Sequence, residues 1–443
     1  MPNNGSLAEL LPGAETAPVS ALAGRRQALR QQLLDGATGA DVMAALTEFV
    51  DGLIIDRYKN AMRQAGEGAQ VAGAQHCCLL ALGAYGQREL APYSDIDVMF
   101  LYSEKAGEAA PVLFREVLHH LWDLGFQVSH SMRTIHECIE LAGQDLTIRT
   151  TMMTARFLAG SPYLFQDFHR RYFREVVGRG TRGFVEQKME ERRREYVKFG
   201  QTIYLLEPNI KKSKGGLRDF HLLRWASMAR FQSSMPQDLS DRGLLSRQDC
   251  LSLTEARDFL WRILAFLHVE AGMAQEVLLF DEQVRLASLS GFHDHPHLFG
   301  VEQFMQQYYR HTTGLHETML RFVDRCQAVS AKRQSARALP GNMVDGYFVV
   351  TGQHATVPIE LRARVLDSPD LLLRLFELAR SRRLKIDTNL VDEIHSHMDS
   401  VSNEAFRTPE VSRTFLKILA GPDAVAGTLE TMHGAHLLEK LIP

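Results

Sequence analysis

The sequence is poor in cysteine, lacks an excess of charge of either sign and contains no long apolar run. Each shortage removes a class of protein. Cys77, Cys78, Cys138, Cys250 and Cys326 are an odd number of cysteines without a Cys-x-x-Cys pair, so no disulfide framework is expected. Adjacent Cys77 and Cys78 lie in an apolar run and read as buried free thiols. A formal net charge of −3 provides no global basic field, which disfavours a general nucleic-acid binder. Any anion must therefore be bound by local clusters. No apolar run reaches about 18 residues, and the amino terminus has no basic start ahead of an apolar core. Neither a membrane span nor a leader is expected, and a cytoplasmic, reducing compartment follows. There is no internal repeat and no extended low-complexity segment.

What is present reads as a globular protein. Hydrophobic residues at 45% and charged residues at 23% sit near the soluble average, and 443 residues predict two or three domains. Residues 1–20 are rich in Gly, Ala, Pro and Ser and predict a loose tail. Apolar residues from Ala21 to about Gln64 recur at helical spacing and predict two helices. Then His76–Leu82 and Asp95–Tyr102 read as buried strands, Pro111–Leu124 as a helix and Phe126–Met132 as a strand. Beyond Asp145 the spacing predicts helices over Leu146–Leu158, Pro162–Val176, Gly183–Phe199, Leu217–Phe231, Leu253–Met273 and Val301–Val329. Ala331–Gly341 reads as a linker, and a strand pair near Tyr347–Val350 and Ala355–Ile359 precedes further helices. The expected architecture is α+β: a small domain with a mixed sheet, then a large helical domain. Boundaries fall at 1–70 for tail and first helices, 71–160, 161–330 and 342–443.

The informative segment is Leu82-Gly-Ala-Tyr-Gly-Gln-Arg-Glu-Leu-Ala-Pro-Tyr-Ser-Asp-Ile-Asp-Val-Met99. Side chains alternate along a strand, so Asp95 and Asp97 project from one face while Ile96 points into the core. Two such carboxylates can hold a pair of hard cations, and Mg²⁺ suits them because it completes its octahedron with water and substrate phosphates. Gly83 and Ala84, at the end of the preceding strand, let backbone N–H groups approach a triphosphate, with a helix expected to begin near Tyr85–Leu90. Ser94 adds a hydroxyl beside the acids. An Asp-x-Asp alone is more often a solvated edge. Here the pair runs into apolar Val98–Leu101, where two adjacent acids repel and cost stability unless a cation compensates. Metal pair and phosphate cradle together are what nucleotidyl transfer requires.

These residues resemble the nucleotidyltransferase motif of the bifunctional PII uridylyltransferase/uridylyl-removing enzymes, in the polymerase-β superfamily. Three further segments resemble that family: Leu206-Glu-Pro-Asn-Ile-Lys-Lys-Ser-Lys-Gly-Gly-Leu-Arg-Asp219, Phe259–His268 and Val301–Arg310. The first separates it from adenylyl-transferring relatives. The likeness runs over roughly residues 30–443 and implies a polymerase-β-like fold, two Mg²⁺, UTP as donor and a tyrosine of a PII-type signal protein as acceptor, with neither nucleic acid nor membrane as partner. Two positions depart from the family pattern. Gly83-Ala84 replaces Gly-Gly, a tolerable change. Gln87-Arg88 replaces Arg-Gly, moving by one position the positive charge that would contact phosphate through Arg88. The family continues into a metal-dependent HD hydrolase domain and two glutamine-sensing ACT domains; this sequence stops at Leu441-Ile-Pro443, about where the HD domain should open, so uridylyl removal and glutamine sensing are not expected of it.

Such a site usually has a third carboxylate, and Phe126–Met132 offers none. Asp145 is the expected substitute, with an N-cap role as its structural alternative; Glu137 and Glu140 rank below it. Lys211, Lys214, Gly215, Gly216 and Arg218 form a basic, glycine-containing loop expected to grip the nucleotide phosphates, the alternative being a solvated loop capped by Asp219. Arg192–Arg194 read as a solvated helix face. His293-Asp294 and the run His293, His295, His297 read as structural, and Phe304, Met305, Tyr308 and Tyr309 as helix core. Two rival readings accompany the enzyme: a regulatory module that binds nucleotide or partner without turnover, and a protein nucleotidyltransferase with another base or target.

Overall fold

A computed structural model describes residues 16–64, 75–107, 109–233, 235–335, 342–398 and 400–442. The first fifteen residues of the expected tail and residues 336–341 of the expected linker lie outside them. By internal packing the chain forms two compact units, Met1–Met319 and Leu320–Pro443.

In the first unit a four-stranded sheet has the order β3-β2-β1-β4, from Cys77–Ala81 (β1), Ile96–Tyr102 (β2), Val128–Arg133 (β3) and Arg156–Gly160 (β4). β1 pairs antiparallel with both β2 and β4, and β2 pairs parallel with β3. β1 is buried along its whole length, which its run Cys-Cys-Leu-Leu-Ala requires. Alternation on β2 sorts its residues between two faces. Phe100 packs on Phe114 and Tyr58 of the flanking Ala109–Asp123 and Gly39–Gln64 helices, at ring separations of 5.2 and 6.4 Å. Met99 meets Cys138 on the other face, sulfur to sulfur at 3.7 Å. Asp97 shares the face of Met99. All five cysteines are free and buried. Burial pushes the thiols of Cys77 and Cys138 up to about 12.

The sequence expectations meet several corrections. The helix expected to reach Leu158 stops at Met153, and residues 156–160 form β4 instead. Phe157 and Leu158 are apolar neighbours that suit either element, and the open edge of β1 selects the strand. β2 begins at Ile96, one residue after Asp95. The last long helix spans Gly300–Ser335 and so occupies the first five residues of the expected linker. Helices at Pro236–Asp241 and Phe280–Leu289 were not expected. In the second unit the expected strand pair belongs to a four-stranded sheet, Asn342–Val344, Phe348–Thr351, His354–Thr356 and Lys385–Ile386. Its third strand ends early because Pro358 is the N-cap residue of the Ile359–Leu366 helix. Leucines of the Pro369–Ser381 helix fill the core beneath it.

The helical part of the first unit is organised around one buried anion. Asp219 accepts from Arg192 Nε (2.6 Å), the Tyr196 hydroxyl (2.7 Å), His316 Nδ1 (2.8 Å) and the Gly215 N–H (2.9 Å). Although burial alone would raise it, hydrogen bonding from His316 and the charge of Arg192 hold this carboxyl down to about 2. The loop from Asn209 to Gly216 is built on this centre: Arg192 donates to the carbonyls of Lys212 and Ser213, and the Asn209 side chain accepts from the N–H groups of Lys211 and Lys212. Gly215 has φ +80°, and a Cβ there would stand 2.4 Å from the Thr312 carbonyl oxygen.

Asp219→Ala leaves the Arg192 guanidinium buried without its counter-charge, so urea unfolding should show a loss of about 3–5 kcal/mol. Because the folded-state value lies below the ordinary carboxylate range, Asp219's stabilising contribution is complete above that range. It is lost as pH falls toward about 2.

Candidate active site

The turn after β1 and the start of β2 are fitted to one another. Leu82 N–H donates to the Asp97 carbonyl at 2.9 Å, and Gly83, at φ +55°, begins the single helical turn Gly83–Gly86. A Cβ on Gly83 would lie 2.4 Å from Asp97 Oδ2, so only glycine lets the carboxylate occupy its place. The expected helix over Tyr85–Leu90 is this one short turn, too brief for an appreciable dipole.

Asp97 is half-buried, and its carboxyl is raised to about 6, first by burial and then by the negative charge of Asp95. A hydrogen bond from Ser129, its register partner on β3, works the other way. Asp95 is exposed just ahead of the strand, close enough for its charge to act on Asp97. A partly desolvated acid beside a second acid favours a cation, and the pair fits Mg²⁺ on that ground. Among the described residues no three acidic, histidine or cysteine side chains are grouped to hold a metal ion. Two carboxylates with open positions suit an ion that shares its shell with substrate phosphates.

Asp97, Gly83 and Ala84 open on a cavity of about 320 Å³ whose other residues come largely from the helical part of the same unit. Lys188 and Arg192 come from the Thr181–Phe199 helix, Lys211 from the loop, and Arg218, His221 and Trp225 from the Leu217–Phe231 helix. Thr150, Thr151 and Trp261 complete much of the wall. Lys188 pairs with Glu191 and Lys211 with Glu276, each at 2.8 Å, whereas Arg218 has no carboxylate partner among the described residues. Asp95 is not among the cavity residues, so the partly neutralised basic wall faces Asp97, and cations opposite a carboxylate suit a ligand that carries both negative charge and a cation.

Several expected site residues are placed elsewhere. Arg88, at φ +62°, extends toward Glu48 (3.6 Å) and lines a second hollow with Arg156 and Phe157, while Gln87 faces the main cavity. Asp145 is exposed and serves as N-cap, accepting from Ile148 N–H at 2.8 Å; it is not among the cavity residues. Glu137 is held in a capping box with Thr134. Ser94 donates its N–H to the Ala91 carbonyl and does not line the cavity, nor does Lys214. Gly215 and Gly216 are buried, packed on Thr312 and on the carbonyls of Ile210 and Lys211, so they shape the loop, while Lys211 and Arg218 reach the cavity. Asp294 caps the Gly300–Ser335 helix through Gly300 N–H, and Phe304, Met305 and Tyr308 are buried core.

Arg192 corrects a sequence expectation: it is buried, whereas Arg193 and Arg194 are exposed as expected. Its spacing from Val185, Met189 and Tyr196 sets it on the buried stripe of its helix, a signal present in the sequence. Glu89, His221, Trp225 and Trp261 carried no separate sequence signal.

Comparison with known proteins covers both halves of this site. The family model described as GlnD PII-uridylyltransferase matches residues 183–323, and that described as Glutamate-ammonia ligase adenylyltransferase matches residues 25–114. The bifunctional uridylyltransferase/uridylyl-removing enzyme of Caulobacter vibrioides (strain NA1000 / CB15N) is 31% identical over 428 residues, covering 94% of this chain and 45% of that protein. The protein of the same description from Azospirillum brasilense is 34% identical over 372 residues, covering 82% of this chain and 39% of its own length. The chain thus spans less than half the length of these curated relatives. Matched across the acid pair, the basic loop and nearly all of its sequence, this chain belongs to the family of the bifunctional uridylyltransferase/uridylyl-removing enzymes.

Proposed function

We propose that this chain transfers UMP from UTP to a tyrosine hydroxyl of a PII-type signal protein and releases pyrophosphate. The observation that carries the reading is Asp97, half-buried beside Asp95, pressed against Gly83 and opening on a cavity lined by Lys188, Arg192, Lys211 and Arg218. Two Mg²⁺ held by Asp95 and Asp97 would supply charge neutralisation at the attacking and leaving oxygens. Gly83 and Ala84 leave room for the phosphates to approach the backbone. Arg218, without a carboxylate partner among the described residues, is the cation available to the leaving pyrophosphate. Trp225 and Trp261 give the same cavity an aromatic wall for the base. Residues 71–160 would hold the transfer chemistry, 161–330 the nucleotide and the protein substrate. The description of the matching family model names PII, it and the relatives' descriptions name uridylyl transfer, and UTP is the donor that such a transfer supports. Five buried free thiols agree with a reducing cytoplasm, and no helix among the described residues is long and apolar enough to cross a membrane. A nucleotide-binding module without turnover is the second reading, favoured by Ser129 standing opposite Asp97 where a third acid would complete the site.

Incubation with Mg²⁺, UTP labelled in its α-phosphate and a PII-type protein should place label on a tyrosine, and EDTA should abolish it. Bound nucleotide without label would favour the module, and efficient competition by ATP would change the donor. Asp95→Asn and Asp97→Asn should each lower transfer at least about 10³-fold while the proteins remain folded; a near-normal rate in either overturns the assignment. Gly83→Ala drives a methyl group against Asp97 and should cost about 10- to 100-fold in rate, read in the same assay.

A further inference from the structure

Two side chains on one face of the Leu217–Phe231 helix have no part in holding metal or phosphate. His221 and Trp225, one turn apart with ring centres 5.8 Å from each other, both line the cavity. Behind His221 lies Glu89, a buried carboxylate in the segment between β1 and β2. It accepts from His221 Nε2 at 2.8 Å and from Arg224, which also donates to Gln87 at 2.6 Å. Burial opposes ionisation of Glu89, but the charge of Arg224 and the hydrogen bonds that Arg224 and His221 donate prevail and hold it down to about 2, while burial lowers His221 itself and keeps its ring neutral. An ionised carboxylate only accepts, so the ring proton of His221 resides on Nε2 and Nδ1 is a bare acceptor.

His221 Nδ1 and Trp225 Nε1 are both shielded from solvent and lack a hydrogen-bond partner. Unpaired buried polar atoms are uncommon and call for a partner. Phosphate is a poor one for Nδ1, whose lone pair, backed by an anionic carboxylate, repels it. An N–H group is a good one. Trp225, a donor only, needs an acceptor. A planar ring with an N–H beside a carbonyl satisfies both, in a cavity that Trp261 also lines.

We propose that His221 and Trp225 read the imide edge of uracil: its N3–H donates to His221 Nδ1, and a neighbouring ring carbonyl accepts from Trp225 Nε1. Glu89 is the positioning residue that fixes the His221 tautomer. Entry of the base moves aside the Lys188 ammonium, which lies 4.5 Å over the Trp225 ring. This rests on UTP being the donor.

Calorimetric titration with Ca²⁺ replacing Mg²⁺, to prevent turnover, tests it with UTP, CTP, N3-methyl-UTP and inorganic tripolyphosphate. The wild type should bind UTP at least about tenfold more tightly than CTP or N3-methyl-UTP. His221→Asn keeps an oxygen near the position of Nδ1 and should retain most of the UTP-over-CTP preference. His221→Gln keeps only the contact with Glu89 and should lose it to within about twofold. Glu89→Gln should also lose the preference while binding tripolyphosphate as the wild type does, which a general loss of structure would not allow. Equal wild-type affinity for UTP and N3-methyl-UTP, or an undiminished preference in His221→Gln, overturns the proposal. Tripolyphosphate binding without any preference for UTP over tripolyphosphate by the wild type removes the uridylyl-transfer reading itself, and the base contacts with it.

Discussion

A carboxylate half out of water, with a second acid two residues away and a glycine pressed against it, is a costly arrangement for a fold to keep. Asp97 has all three features. Its neighbours Ile96 and Val98 occupy the buried opposite face of the strand, and the turn at Gly83 closes over the acid, tied by a backbone hydrogen bond from Leu82. Positive φ at residue 83 directs the chain into the Gly83–Gly86 turn, and that turn gives the cavity its Gly83 and Ala84 edge. The rest of the site is arranged around an anion that burial and a neighbouring acid both disfavour, the condition under which a carboxylate gains most from a nearby cation.

Two other carboxylates, fully ionised, do the opposite task. Asp219 gathers Arg192, Tyr196, His316 and the Gly215 N–H, and so fixes the loop that places Lys211 and Arg218 on the cavity. Glu89 joins the turn after β1 to the Leu217–Phe231 helix through His221 and Arg224. Each buried anion is surrounded by donors from several elements, which is the condition under which a buried charge holds structure together. Site side chains supported in this way meet a ligand with little reorganisation left to do.

Period-two alternation made the Asp97 strand legible, and the 3.6-residue period identified Leu217–Phe231 to the residue. Family resemblance was legible too, because Glu207-Pro-Asn209 and Gly215-Gly216-Leu-Arg-Asp219 are uncommon strings. What local pattern could not convey was side-chain direction. Arg88 looked like a phosphate ligand from its place in the motif, yet its left-handed backbone sends it to Glu48. Asp145 offered both a cap and a third acid, and the unbonded N–H groups at the start of its helix secured the cap. Arg192 was read with its two arginine neighbours, although helical spacing separates it from them by its buried stripe. Glu89 and His221 meet across 132 positions in the chain, a pairing that only the assembled fold creates.

The cysteines carry a consequence of a practical kind. Cys77 and Cys78 sit in the central strand of the sheet, Cys138 behind it, and Cys250 and Cys326 inside helical packing. Burial holds the thiols of Cys77, Cys78, Cys138 and Cys250 above their ordinary range, and alkylating or oxidising reagents, which act on the thiolate, find little to attack there while the chain is intact. Loosening of the sheet uncovers Cys77 and Cys78 together, whereas the helix carrying Cys250 guards a sulfur of its own. The chain therefore carries internal gauges whose rates of thiol modification report the opening of its different parts.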